Sequence, residues 1–201
     1  MRIIAGKFRS RQLKSIKGMA LRPTSDKLRE TLFNILGELI VDARFMDLFA
    51  GTGAVGIEAL SRGAREAIFV EKHPPTAALI RKNLEALDIR SGARVVASDA
   101  MKALERLAKE PSASNGGINI LFLDPPYAET DQYKTVLAFL GDANLLAENA
   151  VVIAEHQRSL DLPETSGNLE RVRVLRQGDA ALTFYRFRPP VCRRGPAPSK
   201  P

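Results

Sequence analysis

Four acids in this chain, Asp47, Glu71, Asp99 and Asp124, are spaced as an alternating strand and helix pattern would need to gather them at one sheet edge. The last opens Asp124-Pro125-Pro126-Tyr127, directly after the apolar run 118–123. That run reads as a buried strand, and the two prolines end its ladder hydrogen bonding and turn the chain out of the sheet. The strand end presents a carboxylate, two rigid carbonyl-bearing residues and an aromatic ring. Such a set suits a planar ring with an exocyclic amino group, whose N–H hydrogens find acceptors while the aromatic side chain stacks on its face. A nucleobase is such a group. The tetrapeptide alone also reads as a proline-punctuated turn with Tyr127 packed on the surface.

Asp47 stands just before Phe49-Ala50-Gly51-Thr52-Gly53-Ala54-Val55-Gly56. The glycines fit the G-x-G-x-x-G pattern, and Glu71 closes the next strand, which brings a dinucleotide-binding oxidoreductase into consideration. Asp47 tilts the choice. A carboxylate there opposes a pyrophosphate but pairs with an ammonium, while the N-terminus of the following helix accepts a carboxylate. S-adenosylmethionine carries both groups. Glu71 can then accept from its ribose hydroxyls and Asp99 from its adenine amino group. Phe49, Ala50, Gly51, Thr52, Gly53, Lys72 and Ala100 flank these acids and complete the expected cofactor set.

The elements that must carry these residues follow from periodicity. Strands are expected at 45–49, 67–71, 93–97, 118–123 and 150–155, with helices from the glycine turn towards Gly63 and at 74–87, 101–108 and 133–140. A further helix starts after Thr24 or Ser25 as cap, with Asp26 in its first turn and Leu28, Leu32, Ile35, Leu36 and Leu39 at helical spacing. Segments 171–177 and 181–187, joined by Gly178-Asp179, read as a terminal hairpin. This alternation predicts an α/β fold with a mostly parallel sheet, whose carboxyl edge binds ligands.

Of 201 residues, 45% are hydrophobic, enough for one full core. No apolar stretch reaches membrane-span length and no signal-peptide segment is visible at the N-terminus, so a cytoplasmic protein is expected. The single cysteine, Cys192, excludes an internal disulfide, and two histidines provide no Cys/His metal cluster. The net charge of +7 sits at the ends: residues 1–22 carry seven Lys or Arg and no acid, and residues 186–201 carry five and no acid. A polyanion partner accounts for that asymmetry. Residues 1–17 alternate loosely between apolar and basic, which predicts a small hairpin with a cationic face. Its candidate phosphate contacts are Arg2, Lys7, Arg9, Arg11 and Lys14, joined by Arg22, Thr24, Lys27 and Arg29 around the first helix start. The expected organisation is a basic extension over 1–22, one α/β domain over 23–187, and a disordered Pro- and Arg-rich tail over 188–201.

Asp47-Leu48-Phe49-Ala50-Gly51-Thr52-Gly53 together with Asp124-Pro125-Pro126-Tyr127 resembles the Rossmann-type methyltransferases that modify exocyclic amines. One family is resembled more closely, through Arg2-Ile3-Ile4-Ala5-Gly6, the block from Arg22-Pro23-Thr24-Ser25 to Asn34-Ile35-Leu36, and Gly56-Ile57-Glu58-Ala59-Leu60-Ser61-Arg62-Gly63-Ala64. It is the bacterial RsmD family, which methylates a guanine exocyclic amine of small-subunit ribosomal RNA. The resemblance runs to about residue 187. It implies a Rossmann-like class I methyltransferase fold with a seven-stranded sheet and a terminal antiparallel hairpin. It also implies S-adenosylmethionine as cofactor, Asp124, Pro125, Pro126 and Tyr127 at the reacting amine, and 16S rRNA, free or within a small ribosomal subunit, as partner. No metal or membrane is expected, and a monomer is the default. Cys192 lies far from the motifs, which argues against a cysteine-based carbon methyltransferase. A DNA adenine or cytosine amino-methyltransferase, a protein glutamine methyltransferase and a cofactor-binding ribosome assembly factor stay open as alternatives.

Overall fold

The computed structural model describes residues 1–15, 25–110, 116–126 and 128–188. Expectations for Arg22, Thr24, Tyr127 and the tail beyond Arg188 lie outside the described residues.

Strand and helix alternate as the periodicity predicts: α1 (Asp26–Leu36), a 3-10 turn (Gly37–Ile40), β1 (Arg44–Asp47), α2 (Ala54–Ser61), β2 (Glu66–Glu71), α3 (Pro74–Ala86), β3 (Ala93–Ala97), α4 (Ala100–Ala108), β4 (Ile118–Leu123), α5 (Asp131–Asp142), β5 (Leu146–Gln157), β6 (Thr165–Ser166), β7 (Leu169–Gln177) and β8 (Ala180–Phe187). They form one sheet in the order β3-β2-β1-β4-β5-β8-β7-β6. The five strands from β3 to β5 in that order are parallel, and β8 inserts antiparallel between β5 and β7. The sheet has eight strands where seven were expected, because two-residue β6 pairs with β7 at the outer edge.

Side-chain alternation on the strands builds two packed layers. Met46, Leu48, Ile68, Val70, Leu121, Leu123, Val152 and Ala154 pack with α4 and α5. On the other face, Phe45, Ile120, Phe122, Val151 and Ile153 pack beneath α1 and α2, and Ala67 and Phe69 beneath α2 and α3. Chain order reverses between β1 and β4, so the loops after these neighbours diverge and leave a crevice at their carboxyl ends. Among the described residues no helix is long and apolar enough to cross a membrane.

The basic segment departs from a regular hairpin. Among the described residues a single antiparallel bridge joins Arg2 and Gln12, with Ile3 N–H to Arg11 O and Leu13 N–H to Met1 O at 3.0 Å each. Helix α2 does most of the holding. Glu58 accepts from the amides of Ile4 at 2.8 Å and Ala5 at 3.0 Å, and Ser61 Oγ accepts from Phe8 N–H at 2.9 Å while donating to Ala5 O at 2.6 Å. Gly6, at φ +80°, lies so close that a Cβ there would sit 1.8 Å from Ser61 O. The segment is therefore stapled along α2, with Ile3 and Leu13 buried in the core and Lys7, Arg9, Arg11 and Lys14 exposed.

Candidate active site

The glycine loop is shaped by the two acids on either side of it. Asp47 ends β1 and accepts the Gly56 amide through Oδ2 at 3.1 Å. Glu71 ends β2 and accepts the Gly51 amide at 3.0 Å and the His73 amide at 2.8 Å. Between them Gly53 caps α2 in the left-handed region, φ +80°, where a side chain would be strained and would press on Ile80. The first amides of α2 thus stand at the carboxyl edge of the sheet, in the position that favours an anionic group.

These residues line one cavity of about 440 Å³. Asp47, Phe49, Ala50, Gly51 and Thr52 contribute from the first loop, Glu71 and Lys72 from the second, Asp99 and Ala100 from the third, and Asp124, Pro125 and Pro126 from the end of β4. Gly53 lies behind the wall, in the turn that gives the loop its shape. Twelve predicted residues from four separate chain segments thereby share the cavity, as the switch-point rule requires.

Local geometry refines several roles. Asp99 is the N-cap of α4, its Oδ1 accepting from Met101 N–H at 3.0 Å and Lys102 N–H at 3.4 Å. Lys72 makes an ion pair with Glu129 at 3.0 Å, joining the loop after β2 to the segment that follows the β4 motif. Burial pushes the Asp47 carboxyl up to about 7, with the negative charges of Glu71 and Glu155 adding to the shift and the Gly56 amide opposing it.

Arg29 does not serve as the surface phosphate contact its neighbours suggest. Its side chain is 0% exposed and donates to Arg2 O at 2.6 Å and Asp26 at 3.0 Å. It faces equally buried Glu58 at 3.8 Å, a pairing of opposite charges that burial demands. The signal was in the sequence, because Arg29, Leu32, Phe33 and Leu36 fall at i, i+3, i+4 and i+7 on the buried stripe of α1. Ser25 caps α1, its Oγ accepting from Leu28 N–H at 3.1 Å, and Lys27 is exposed.

Against known proteins, the family model described as "Conserved hypothetical protein 95" matches residues 1–186. The chain is 38% identical over 188 residues to the "Putative rRNA methyltransferase YlbH" of Bacillus subtilis (strain 168), covering 94% of this chain and 100% of that relative. It is 38% identical over 185 residues to the "Ribosomal RNA small subunit methyltransferase D" of Escherichia coli (strain K12), covering 92% and 89%. The chain belongs to the RsmD family. Among solved structures, the putative methyltransferase yhhF from Escherichia coli superposes with a TM-score of 0.79 at 37% identity, covering 94% of this chain and 98% of that one. An RNA methyltransferase from Salinibacter ruber in complex with S-adenosyl-L-homocysteine, at 14% identity and a TM-score of 0.59, shares the Rossmann-like methyltransferase fold, with 84% of this chain and 95% of that one covered.

Within this RsmD-family frame, Glu155 is a buried cavity acid that the sequence reading did not assign. It stands two residues before the end of β5, is 5% exposed, and lines the cavity with Asp124. Its signal was its place at the end of the strand expected over 150–155.

Proposed function

We propose that this chain transfers a methyl group from S-adenosylmethionine to the exocyclic 2-amino group of a guanine in small-subunit ribosomal RNA, in the cytoplasm. The observation that carries the reading is the single cavity shared by the glycine loop, Glu71 and Asp99 on one side and Asp124 and Pro125 on the other. Family membership and the names of the relatives support ribosomal RNA as substrate.

The donor set fits S-adenosylmethionine. Asp47 takes the ammonium, the α2 amides take the carboxylate, Glu71 takes the ribose hydroxyls and Asp99 takes the adenine amino group. Val70, Phe122 and the loop residues Leu48 and Phe49 supply an apolar surround. When bound, the cofactor would supply a methyl group on a positively charged sulfur; the methyl would pass to the amine nitrogen as the C–S bond breaks, leaving S-adenosylhomocysteine, and the nitrogen would release one proton, to Asp124 or to water.

The chain's own contribution lies at the amine. A guanine 2-amino nitrogen is a poor nucleophile because its lone pair is delocalised into the ring. The Asp124 carboxylate and the Pro125 carbonyl accept its two hydrogens, draw it towards tetrahedral geometry and stabilise the positive charge that develops on nitrogen. Holding donor and acceptor in one cavity contributes much of the remaining rate. Tyr127 stacks on the base, a contact contributing about 1–3 kcal/mol in single-strand binders. Arg2, Lys7, Arg9, Arg11 and Lys14, with Arg22, Thr24 and Lys27, bind the phosphates that bring the RNA to this edge. The reading is of a monomer acting on 16S rRNA, alone or within a small subunit.

Labelled methyl transfer to free 16S RNA, small subunits, protein and duplex DNA in parallel, followed by nucleoside mapping, tests this assignment. Label is expected in N2-methylguanosine. Label in adenine, cytosine or protein overturns the substrate. Asp124→Ala is expected to lower turnover by about 10²–10³-fold with S-adenosylhomocysteine binding retained, and unchanged turnover overturns the role of Asp124.

A further inference from the structure

Resting on the proposed guanine reaction, we infer that Glu155 is the residue that specifies guanine, accepting the N1–H of the target base beside the amine held by Asp124.

The register puts the two acids side by side. β4 and β5 are parallel neighbours with Leu123 opposite Ala154, so Asp124 and Glu155 each stand one step further along strands about 4.8 Å apart. Glu155 continues the alternation of Val151 and Ile153, which pack on the α1 and α2 face, the face from which Asp47 on β1 also projects. All three acids line the same cavity.

The backbone around Glu155 is fixed by groups that play no part in the proposed methyl transfer. Buried Tyr133 donates to Glu155 O at 2.7 Å. His156, the next residue, is bound on both ring nitrogens, Nε2 to Thr183 Oγ1 at 2.7 Å and Nδ1 to Gln157 O at 2.8 Å. Beyond β5, Leu182 of β8 lies opposite Glu155. A carboxylate carried on a backbone fixed in this way, at a cavity wall, is placed to recognise a fixed pattern of donors.

Guanine presents that pattern. Its N1–H and 2-amino hydrogens are adjacent donors on one edge, whereas adenine and cytosine place a bare ring nitrogen beside their amino group. A carboxylate can accept several hydrogen bonds at once. Glu155 therefore attracts guanine N1–H and repels the lone pair that adenine or cytosine would bring to the same point. Accepting from N1–H also raises electron density across the N1–C2–N2 unit, which favours attack by the amine. Selectivity through a buried hydrogen-bonding group can be large, because the wrong base leaves that group unpaired.

The test substitutes 2-aminopurine for guanine at the mapped position of the RNA substrate. This base keeps the 2-amino group and carries a bare N1. The wild-type protein is expected to use it on the order of 100-fold less efficiently than guanine in kcat/KM. Glu155→Gln can turn an amide N–H towards N1, so its preference for guanine is expected to fall at least about tenfold relative to wild type. Comparing the two proteins cancels the intrinsic reactivities of the bases. Thermal unfolding and S-adenosylhomocysteine binding check that the variant is folded. A wild-type protein that uses both bases alike, or a folded Glu155→Gln with an unchanged preference, overturns this inference while the guanine reaction stands. A wild-type protein that methylates no guanine overturns both.

Discussion

Glu71 accepts the Gly51 amide at 3.0 Å, so the acid that closes β2 also props the glycine loop that follows β1. Its other oxygen accepts from His73 N–H at 2.8 Å. One side chain thus holds two loops of the cavity in register.

Glu71→Ala removes both the prop and the acceptor proposed for the ribose hydroxyls. Hydrogen bonds to a charged group contribute about 1.5–3 kcal/mol each, so affinity for S-adenosylhomocysteine should fall by about 10- to 100-fold in calorimetric titration. Affinity within twofold of wild type would remove Glu71 from the cofactor site.

Asp47, pushed up to about 7 by burial, gives the site a pH signature. The folded protein holds this proton more tightly than the unfolded chain, whose carboxyl has the ordinary value of 3.8. Its contribution therefore favours folding most below 3.8 and is lost as pH climbs through about 7. A bound ammonium needs the ionised form, so cofactor affinity should move the opposite way. It weakens as pH falls below 7, approaching about tenfold per pH unit, and binding near pH 6 releases a proton. Titrations in buffers of different ionisation enthalpy measure that release, and Asp47→Asn should abolish it. A release that persists in the variant assigns the proton elsewhere.

Gly6→Ala tests the staple. The new Cβ would lie 1.8 Å from Ser61 O at a backbone φ of +80°, a strain costing about 1–3 kcal/mol. Trypsin should then cut after Lys7 and Arg9 faster than in wild type. Equal cleavage rates would mean that the segment is held by other contacts.

Replacing Arg9, Arg11 and Lys14 together by Ala should weaken RNA binding and lower the slope of log affinity against log salt by up to about 2–3, since each lost phosphate contact removes about 0.7–0.9. All three are exposed. An unchanged slope places the phosphate contacts elsewhere.

Much of this arrangement is legible in the sequence because it rests on local pattern. β3 and β4 fall on their expected bounds, since Ala93–Ala97 and Ile118–Leu123 are apolar runs ended by loops. β5 starts earlier than expected, at Leu146, because Glu148 and Asn149 interrupt the apolar run while the strand continues through them. The two residues of β6 are too few to show any period. The acids proposed for the cofactor stand out in the sequence because Asp47 and Glu71 end strands and Asp99 follows one closely, yet Asp99 also caps a helix, a second duty visible only once α4 is in place. Arg29 was misread because its charge outweighed its helical phase, and only the tertiary partner Glu58 explains how such a charge is tolerated inside. Side-by-side placement of Asp124 and Glu155 depends on β4 pairing with β5, which spacing along the chain does not reveal.

Helix α2 has eight residues, about 12 Å of rise. It begins at the glycine loop and ends at Ser61, where the basic segment is fastened. In the proposed reaction it acts as a ruler, setting how far the RNA phosphates stand from the methyl donor. One inserted helical turn would add about 5.4 Å and carry the backbone out of reach of the target nucleotide. On the proposed reading, the length of α2 is part of the enzyme's address for its substrate.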